Sequence, residues 1–310
     1  MSNPATNNSI DAGLKRAQIL QTAVKEFSRR ALPLKAFASV FTDTPLQGDD
    51  TVRVPYYPLQ NAASSSFDYT TTDGYVFGQS TDTQAKTITV NKRIYQPLDF
   101  SSQEMCRQPM LKLEELAALA AQKLAYDVLT DILSAITVAN YPAIGLTRPA
   151  AAISSDDLAD LSGACSDANW PISGRSLIVG TGYDTQLKKD PSIKLALNIN
   201  GTEVARQGVV PNIAGFNYHH LPNFPHNSEA LGGIAVHQSA LAVAFAPIVP
   251  APAVRGQLYA YETVTDAETG ISLSYRVWGD PTRDRNCSIL EASYGYAVLN
   301  PAALKRITFA

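Results

Sequence analysis

The residues most able to do chemistry in this sequence are its histidines, and their spacing does not assemble a site. The four are His219, His220, His226 and His237. Adjacent histidines in a strand point to opposite faces, and no HExxH or comparable acid-plus-histidine spacing surrounds them. We interpret them as ordinary polar or core histidines and predict no metal site.

A glycine pair and two carboxylate pairs are the remaining candidates. Gly180 and Gly182 follow a predicted strand, but Gly-Thr-Gly-Tyr-Asp-Thr lacks the third glycine of a dinucleotide-binding fingerprint. There is no Walker lysine and no GxSxG elbow. The pairs Glu114–Glu115 and Asp156–Asp157 lie at predicted helix starts or surfaces, where capping and solvation explain them. The sequence therefore predicts no catalytic, cofactor-binding or metal-ligating residue, although a two-lobed α/β enzyme with an unrecognised site stays open.

Composition favours a protein whose surface is covered by something other than water. Of the 310 residues, 45% are hydrophobic and only 17% are charged, against about a quarter in ordinary domains. The alternative is a soluble protein with few charges. The net charge of −3 argues against tight, sequence-independent nucleic-acid binding, but not against enclosing nucleic acid.

The cysteines and the hydropathy pattern indicate an intracellular setting. Cys106, Cys165 and Cys287 are widely spaced and odd in number, which favours buried thiols in a reducing compartment over a disulfide framework. The polar segment Met1–Ser9 lacks the apolar core of a secretory signal. No apolar run is long enough to span a membrane.

An amphipathic helix is predicted over Asp11–Ala31. Its apolar face is made of Leu14, Ala17, Leu20, Val24, Phe27 and Ala31, and its charged face of Lys15, Arg16, Lys25, Glu26, Arg29 and Arg30. Two interpretations stay open. The helix is an arm that lies on a neighbouring subunit or faces an interior containing nucleic acid, or it packs on its own domain.

A long hairpin is predicted from strands at Thr51–Leu59 and Lys86–Tyr95. The stretch between them contains three aspartates and neither lysine nor arginine. It has too few large aliphatic residues for a core of its own and too many aromatic ones for a solvated linker: Phe67, Tyr69, Tyr75 and Phe77. Because an isolated hairpin is marginal in water, the segment needs a partner surface. A long flexible loop is the alternative.

A single long helix is predicted over Pro109–Thr137, after a short helix capped by Ser101 and Glu104. It would be about 40 Å long. Its apolar stripe is Leu113, Leu116, Ala117, Ala120, Leu124 and Val128, and a second apolar side opens at Leu129, Leu133 and Ile136. Because different faces are apolar along its length, we expect a strut that crosses a domain.

The rest of the chain predicts an inserted lobe and a set of closing strands. In the lobe, which starts near Ala143, we predict a helix capped by Ser155 and Asp156, a strand at Ser176–Gly180, a broken helix at Tyr183–Leu195, strand and turn at Val209–His220, and a strand then a helix at Gly233–Ala246. The closing strands are Leu258–Val264, Ile271–Trp278, Ile289–Val298 and Lys305–Phe309. We expect these strands to pack on the long helix, with Ala143–Ala253 inserted between the two parts of one domain.

Taken in order, these pieces resemble the major capsid proteins of tailed bacteriophages with the Hong Kong 97-type fold. The extended loop corresponds to Gln60–Ala85, flanked by Thr-Val-Arg-Val-Pro-Tyr-Tyr and Lys-Thr-Ile-Thr-Val-Asn-Lys, and the spine helix to Met110–Thr137. The resemblance implies an α+β fold with an N-terminal arm (1–50), the extended loop and its strands (51–100), the spine helix (101–142), an axial domain (143–254) and returning peripheral strands (255–310).

The resemblance also implies a function. It predicts a structural protein, not an enzyme, that forms hexamers and pentamers of an icosahedral head around double-stranded DNA. The expected location is the virion, after assembly in the host cytoplasm, with the portal and decoration proteins as further partners. Within the same fold, an encapsulin-like nanocompartment shell is the alternative.

Two departures from the family pattern sharpen this expectation. Some members join subunits through an isopeptide bond from a loop lysine to an asparagine, with a glutamate nearby. Gln60–Ala85 contains neither lysine nor glutamate, so we predict a shell without such cross-links. Because only a short segment precedes the hairpin, we also expect a separate scaffolding protein.

Overall fold

Two sheets and a pair of long helices organise the computed structural model, which describes residues 5–42, 51–56, 84–101, 103, 113–193, 212–266 and 270–309. The helices are α1 (Ala5–Phe37), α2 (Leu113–Leu133), α3 (Ser155–Asp167), α4 (Thr181–Leu187) and α5 (Pro252–Arg255). The strands are β1 (Ala38–Thr42), β2 (Thr51–Tyr56), β3 (Gln84–Thr89), β4 (Lys92–Ser101), β5 (Ile144–Thr147), β6 (Arg175–Val179), β7 (Asn217–His220), β8 (Leu231–His237), β9 (Leu241–Phe245), β10 (Ala260–Thr265), β11 (Ser272–Asp280), β12 (Arg285–Val298) and β13 (Leu304–Thr308).

A six-stranded sheet in the order β1-β9-β12-β11-β10, with β4 also paired to β12, carries the main core. Strand residues alternate between the two faces of a sheet, so each strand gives one set of side chains to each side. The face that packs on α1 and α2, here called the inner face, is built from large buried side chains: Leu241, Val243, Phe245, Leu273, Tyr275, Val277, Leu290 and Tyr294.

Helix α1 belongs to this core rather than to a free arm, at least from Leu20 onward. Leu20, Val24, Phe27 and Ala31 are buried as the apolar spacing predicted, and Leu34 and Phe37 extend the same face. They join the residues of α2 in one cluster. The second interpretation, a helix packed on its own domain, therefore holds for this half, while the side chains before Leu20 lie outside the described ones.

Helix α2 is the predicted strut, and its described part ends at Leu133 rather than at Thr137. A side chain from a distant turn terminates it. Asn227 Nδ2 donates to the carbonyl oxygens of Leu133 and Ile136 at 2.8 Å each, which satisfies backbone acceptors left open at a helix end. Glu104 of the predicted capping box, Cys106 and Pro109 lie outside the described residues.

A second sheet, in the order β5-β13-β8-β6-β7, forms the core of the inserted lobe with α3 and α4. The cap of α3 is Ser154 rather than the predicted Ser155. Its side chain accepts from the backbone of Asp157, whose carboxylate accepts from the backbone of Ser154 in return. The predicted strand at Ser176–Gly180 is confirmed as β6.

The prediction of a strand followed by a helix at Gly233–Ala246 is wrong. The segment forms β8 and β9, which are joined by a turn at His237. Both strands are buried on both faces, so their residues show no period of two. A short apolar run of this kind cannot be told from a buried helix by periodicity.

The two sheets also exchange strands across the predicted domain boundaries. β9 lies within 143–254 but pairs with β12 in the six-stranded sheet. β13 lies within 255–310 but pairs with β5 and β8 in the other sheet. The hairpin strand predicted at Lys86–Tyr95 is likewise divided, because β3 pairs with β2 whereas β4 joins β12.

Candidate assembly surfaces

The second face of the six-stranded sheet, here called the outer face, is covered at one end by the base of the chain's own hairpin. Val54 of β2 and Ile88 of β3 are buried against Ala242 and Ala244 of β9. Gly295 of β12 also lies against the hairpin, since a Cβ there would lie 2.1 Å from the Thr89 carbonyl oxygen. Small residues thus let the hairpin backbone approach the sheet closely.

The other end of the outer face is an open trough. Cross-strand pairing places Pro97 of β4 beside Ile289 of β12. Cys287 is paired with Asp99 on one side and with Trp278 of β11 on the other. The outer trough has a volume of about 660 Å³ and is lined by Arg93, Tyr95, Pro97, Asp99, Trp278, Cys287, Ser288 and Ile289. Tyr95 is 58% exposed there, which leaves a large aromatic side chain mostly in water.

Ion pairs lie at both ends of the outer trough. At one end, Glu291 is 1% exposed; its Oε2 accepts from Arg93 Nε at 2.8 Å, and its Oε1 lies 2.7 Å from an Arg276 nitrogen. Arg276 also donates to the Ile248 carbonyl oxygen at 3.1 Å. At the other end, Arg285 pairs with Asp99. A buried carboxylate held by two guanidinium groups fixes strand positions even where its net stabilisation is small.

On the inner face, a polar cluster fastens α2 to the sheet. Lys92 Nζ donates to both carboxylate oxygens of Asp131 at 2.8 Å and to the Tyr296 hydroxyl at 2.9 Å. The Tyr294 hydroxyl donates to Asp131 at 2.8 Å. Burial would lower the pKa of Lys92, but the hydrogen bonds to Asp131 and Tyr296 outweigh it, so the pKa is raised. Burial and the Asp131 carboxylate raise the pKa of Tyr294.

The histidines singled out by sequence are dispersed over the inserted lobe and bond locally. His226 Nδ1 lies 2.7 Å from the Leu231 carbonyl oxygen, and His237 Nδ1 lies 2.9 Å from Ser239 Oγ. His220 Nε2 lies 3.3 Å from Thr181 Oγ1. Burial lowers the pKa values of His219 and His237. In the part of the chain that the structure describes, no group of three or more potential ligands could hold a metal ion.

The remaining sequence candidates lie at the starts of helices. Gly180 is the residue before α4, and a Cβ there would lie 3.1 Å from Phe224. Asp157 belongs to the α3 capping box and pairs with Arg148 at 3.0 Å. Glu115 is exposed at the start of α2, while the side chain of Glu114 is outside the described ones.

No protein-family model and no curated protein sequence matches the chain, whereas solved structures do. The capsid structure of the cyanophage P-SCSP1u matches with a TM-score of 0.59 at 13% identity, over 88% of this chain and 86% of that one. The mature capsid of bacteriophage PhiM1 matches with a TM-score of 0.56 at 12% identity, over 87% and 85% of the two chains. A structure from Microbacterium phage Oxtober96 matches with a TM-score of 0.54 at 13% identity, over 89% and 90%.

The chain has the Hong Kong 97-type capsid fold. Below, the six-stranded sheet with α1 and α2 is called the peripheral part, and the five-stranded sheet with α3 and α4 the axial part. No helix among the described residues is long and apolar enough to cross a membrane.

Sequence reasoning missed the outer trough, although a signal for it was present. Arg93, Tyr95, Pro97 and Asp99 alternate with Ile94, Gln96 and Leu98 along β4. The proline points to an edge strand, because a sheet interior needs the backbone donor that proline lacks. The predicted loop between the hairpin strands, residues 57–83, lies outside the described residues.

Proposed function

We propose that the chain is a major capsid protein that self-assembles into the icosahedral head shell around the double-stranded DNA of a tailed bacteriophage. The observation that supports this most strongly is the match to capsid structures of P-SCSP1u and PhiM1 over at least 85% of each chain. A match of that extent concerns the whole architecture rather than one shared motif. The identical subunits form the hexamers and pentamers of the shell.

The outer trough is the surface that a neighbouring copy covers. It lies beside the chain's own hairpin base, and β4 is paired on only one side among the described residues, so both apolar side chains and backbone groups are open there. Residues 57–83 carry five large aromatic side chains and no basic residue. An extended chain of this length, folded back once on itself, would span about 40 Å. Strand pairing and aromatic burial would then hold the two copies together.

Further partners follow from the role of a shell. The portal, decoration proteins and a separate scaffolding protein are the protein partners, and the packaged DNA is held without sequence-specific contacts. The shell forms in the host cytoplasm and remains in the virion. Because residues 60–85 contain no lysine, the contacts between copies are non-covalent. Many modest contacts in a closed lattice add up to a stable particle.

Electron microscopy of the purified chain, alone and after co-expression with candidate scaffolding proteins, tests the proposal. Closed icosahedral particles or hexameric capsomers support it, and packaged DNA in particles from infected cells distinguishes a head from a nanocompartment. A stable monomer under all these conditions contradicts it. Mature particles should give a single monomer band on a denaturing gel, and a covalent ladder would contradict the non-covalent shell.

A further inference from the structure

A second concave surface lies on the opposite side of the six-stranded sheet from the outer trough. It is a groove of about 560 Å³ between α1, α2 and the turn that follows β7. Helix α1 contributes Arg29, Arg30, Leu32 and Pro33, and helix α2 contributes Leu119, Gln122, Lys123, Tyr126 and Leu129. The end of β7 contributes His219 and His220, and the turn contributes Leu221, Pro222 and Asn223. We call it the helix groove.

The helix groove presents large apolar side chains to water from both helices. Leu32 on α1 is 53% exposed, and Leu119 on α2 is 60% exposed. Leu129 and Leu221 are buried beneath them. A concave apolar strip flanked by helices is the form of surface that receives an amphipathic helix.

The lining of the helix groove contains three basic residues and no carboxylate, although Glu26 just outside it accepts from Gln122 Nε2 at 2.8 Å. The Arg29 side chain is 78% exposed, and its nearest carboxylate, that of Glu26, is 3.9 Å away. Glu26 does not line the groove. Lys123 pairs with Asp127, also outside the lining, at 2.5 Å. Across the described ranges, Arg30 has no ionic partner. Burial lowers the pKa of His219, which adds no positive charge near neutral pH.

We propose that the helix groove binds an acidic amphipathic helix of a partner protein. The apolar face of this bound helix would lie between Leu32 and Leu119, and the carboxylates of the helix would pair with Arg30 and Arg29. A phosphate backbone would satisfy the cations but would leave both leucines in water, so these leucines favour a protein over nucleic acid. The inference rests on the proposed function, under which this partner acts on the shell face opposite the outer trough.

A synthetic peptide of about 18 residues, long enough to form a helix, provides the probe. It carries leucine along one face and glutamate along the other, and its binding to the full chain is followed by fluorescence anisotropy. A second peptide with lysine for glutamate tests charge, and a third with serine for leucine tests apolar contact. A labelled DNA duplex forms the nucleic-acid arm.

Two variants of the chain have matched controls. Arg30→Glu reverses a charge inside the helix groove, and Lys35→Glu reverses a charge that is also exposed on α1 but lies outside it. Leu119→Ser removes a leucine of the groove, and Ile172→Ser removes an exposed apolar residue of the axial part. We expect the acidic peptide to bind the wild type, and Arg30→Glu and Leu119→Ser to weaken it about tenfold while the controls do not.

Other outcomes would overturn the proposal. If the acidic peptide does not bind, or if Arg30→Glu and Lys35→Glu weaken its binding equally, the helix groove is not the peptide-binding site. Duplex binding that competes with the peptide and is insensitive to Leu119→Ser shows a nucleic-acid surface. Thermal unfolding of each variant checks that it is folded. Particle formation without peptide binding rejects the helix groove alone, whereas failure to form particles at all rejects the proposed function.

Discussion

The two faces of the six-stranded sheet are completed in different ways. The inner face uses large side chains and is covered by α1 and α2 of the same chain. The outer face uses alanine and glycine where the chain's own hairpin rests, and Tyr95, Trp278 and Ile289 where nothing in the described residues covers it. The difference is that the inner face is completed within the chain, whereas the outer face keeps an uncovered trough, which under the proposed function a second copy completes.

Adjacent residues of β12 provide the strongest test of this difference. Leu290 is buried on the inner face, and Ile289 lines the outer trough. We expect Leu290→Ala to lower the free energy of unfolding by about 2–5 kcal/mol because it leaves a cavity in the core. Ile289→Ala should lower it by less than about 1.5 kcal/mol, because its side chain is only half-buried. Urea denaturation measures both, and equal losses would contradict the distinction between the faces.

Gly295 tests the part of the outer face that the hairpin covers. A Cβ at this position would lie 2.1 Å from the Thr89 carbonyl oxygen, so Gly295→Ala must displace backbone. We expect a loss of about 1–3 kcal/mol in unfolding free energy and a lower yield of particles. Gly163→Ala in α3 is the control, since nothing lies within 4 Å of a Cβ there and alanine favours a helix. An unchanged stability for Gly295→Ala would show that the hairpin base does not rest on the sheet.

The inner face should also make stability sensitive to alkaline pH. Burial raises the pKa of Tyr141, and burial together with Asp131 raises that of Tyr294, above the ordinary value of 10.0. The unfolded chain therefore loses these protons first, so the stabilisation is present below about pH 10 and declines as the pH rises above it. Denaturation midpoints between pH 8 and about pH 11 measure this decline, which should be shallower in Tyr294→Phe. An identical slope in both would contradict a titration at the inner face.

Tyr95 should show the smallest effect on stability and a large effect on binding of the loop peptide. Its side chain is mostly exposed, so Tyr95→Ser should change the unfolding free energy by no more than about 0.5 kcal/mol. A labelled peptide of residues 57–83 should nevertheless bind the variant much less tightly than the wild type. Tyr259→Ser is the control, because Tyr259 is 73% exposed but lies outside the outer trough. Equal losses of peptide binding in the two variants would show that the loop does not dock in the outer trough.

Much of the fold could be predicted from local patterns, because these patterns reflect local physics. Period-two alternation identified β10 and β11, and helical spacing identified the buried face of α1. The exchange of β9 and β13 between the sheets could not be predicted in this way. Strand partnership is decided by tertiary packing, and β9 is buried on both faces, so its own residues carry no sign of which sheet it joins.

The candidate surfaces were predictable only in part. The composition of residues 57–83 indicated an arm that needs a partner, but not the surface that receives it. The outer trough joins residues nearly two hundred positions apart in the chain, such as Pro97 and Ile289, through pairing that local sequence does not encode. The helix groove likewise depends on a turn of the axial part lying beside two helices of the peripheral part.

Disulfide trapping tests most directly whether a second copy completes the outer face. Cys287 is a free thiol in the outer trough, and single cysteines can replace Phe67, Tyr69, Tyr75 or Phe77 in the loop. After mild oxidation of assembled particles, we predict a ladder of linked subunits on a non-reducing gel for at least one of these variants. The ladder should disappear when Cys287→Ser is added. Bonds formed only within single subunits, or a ladder that persists without Cys287, would contradict the account.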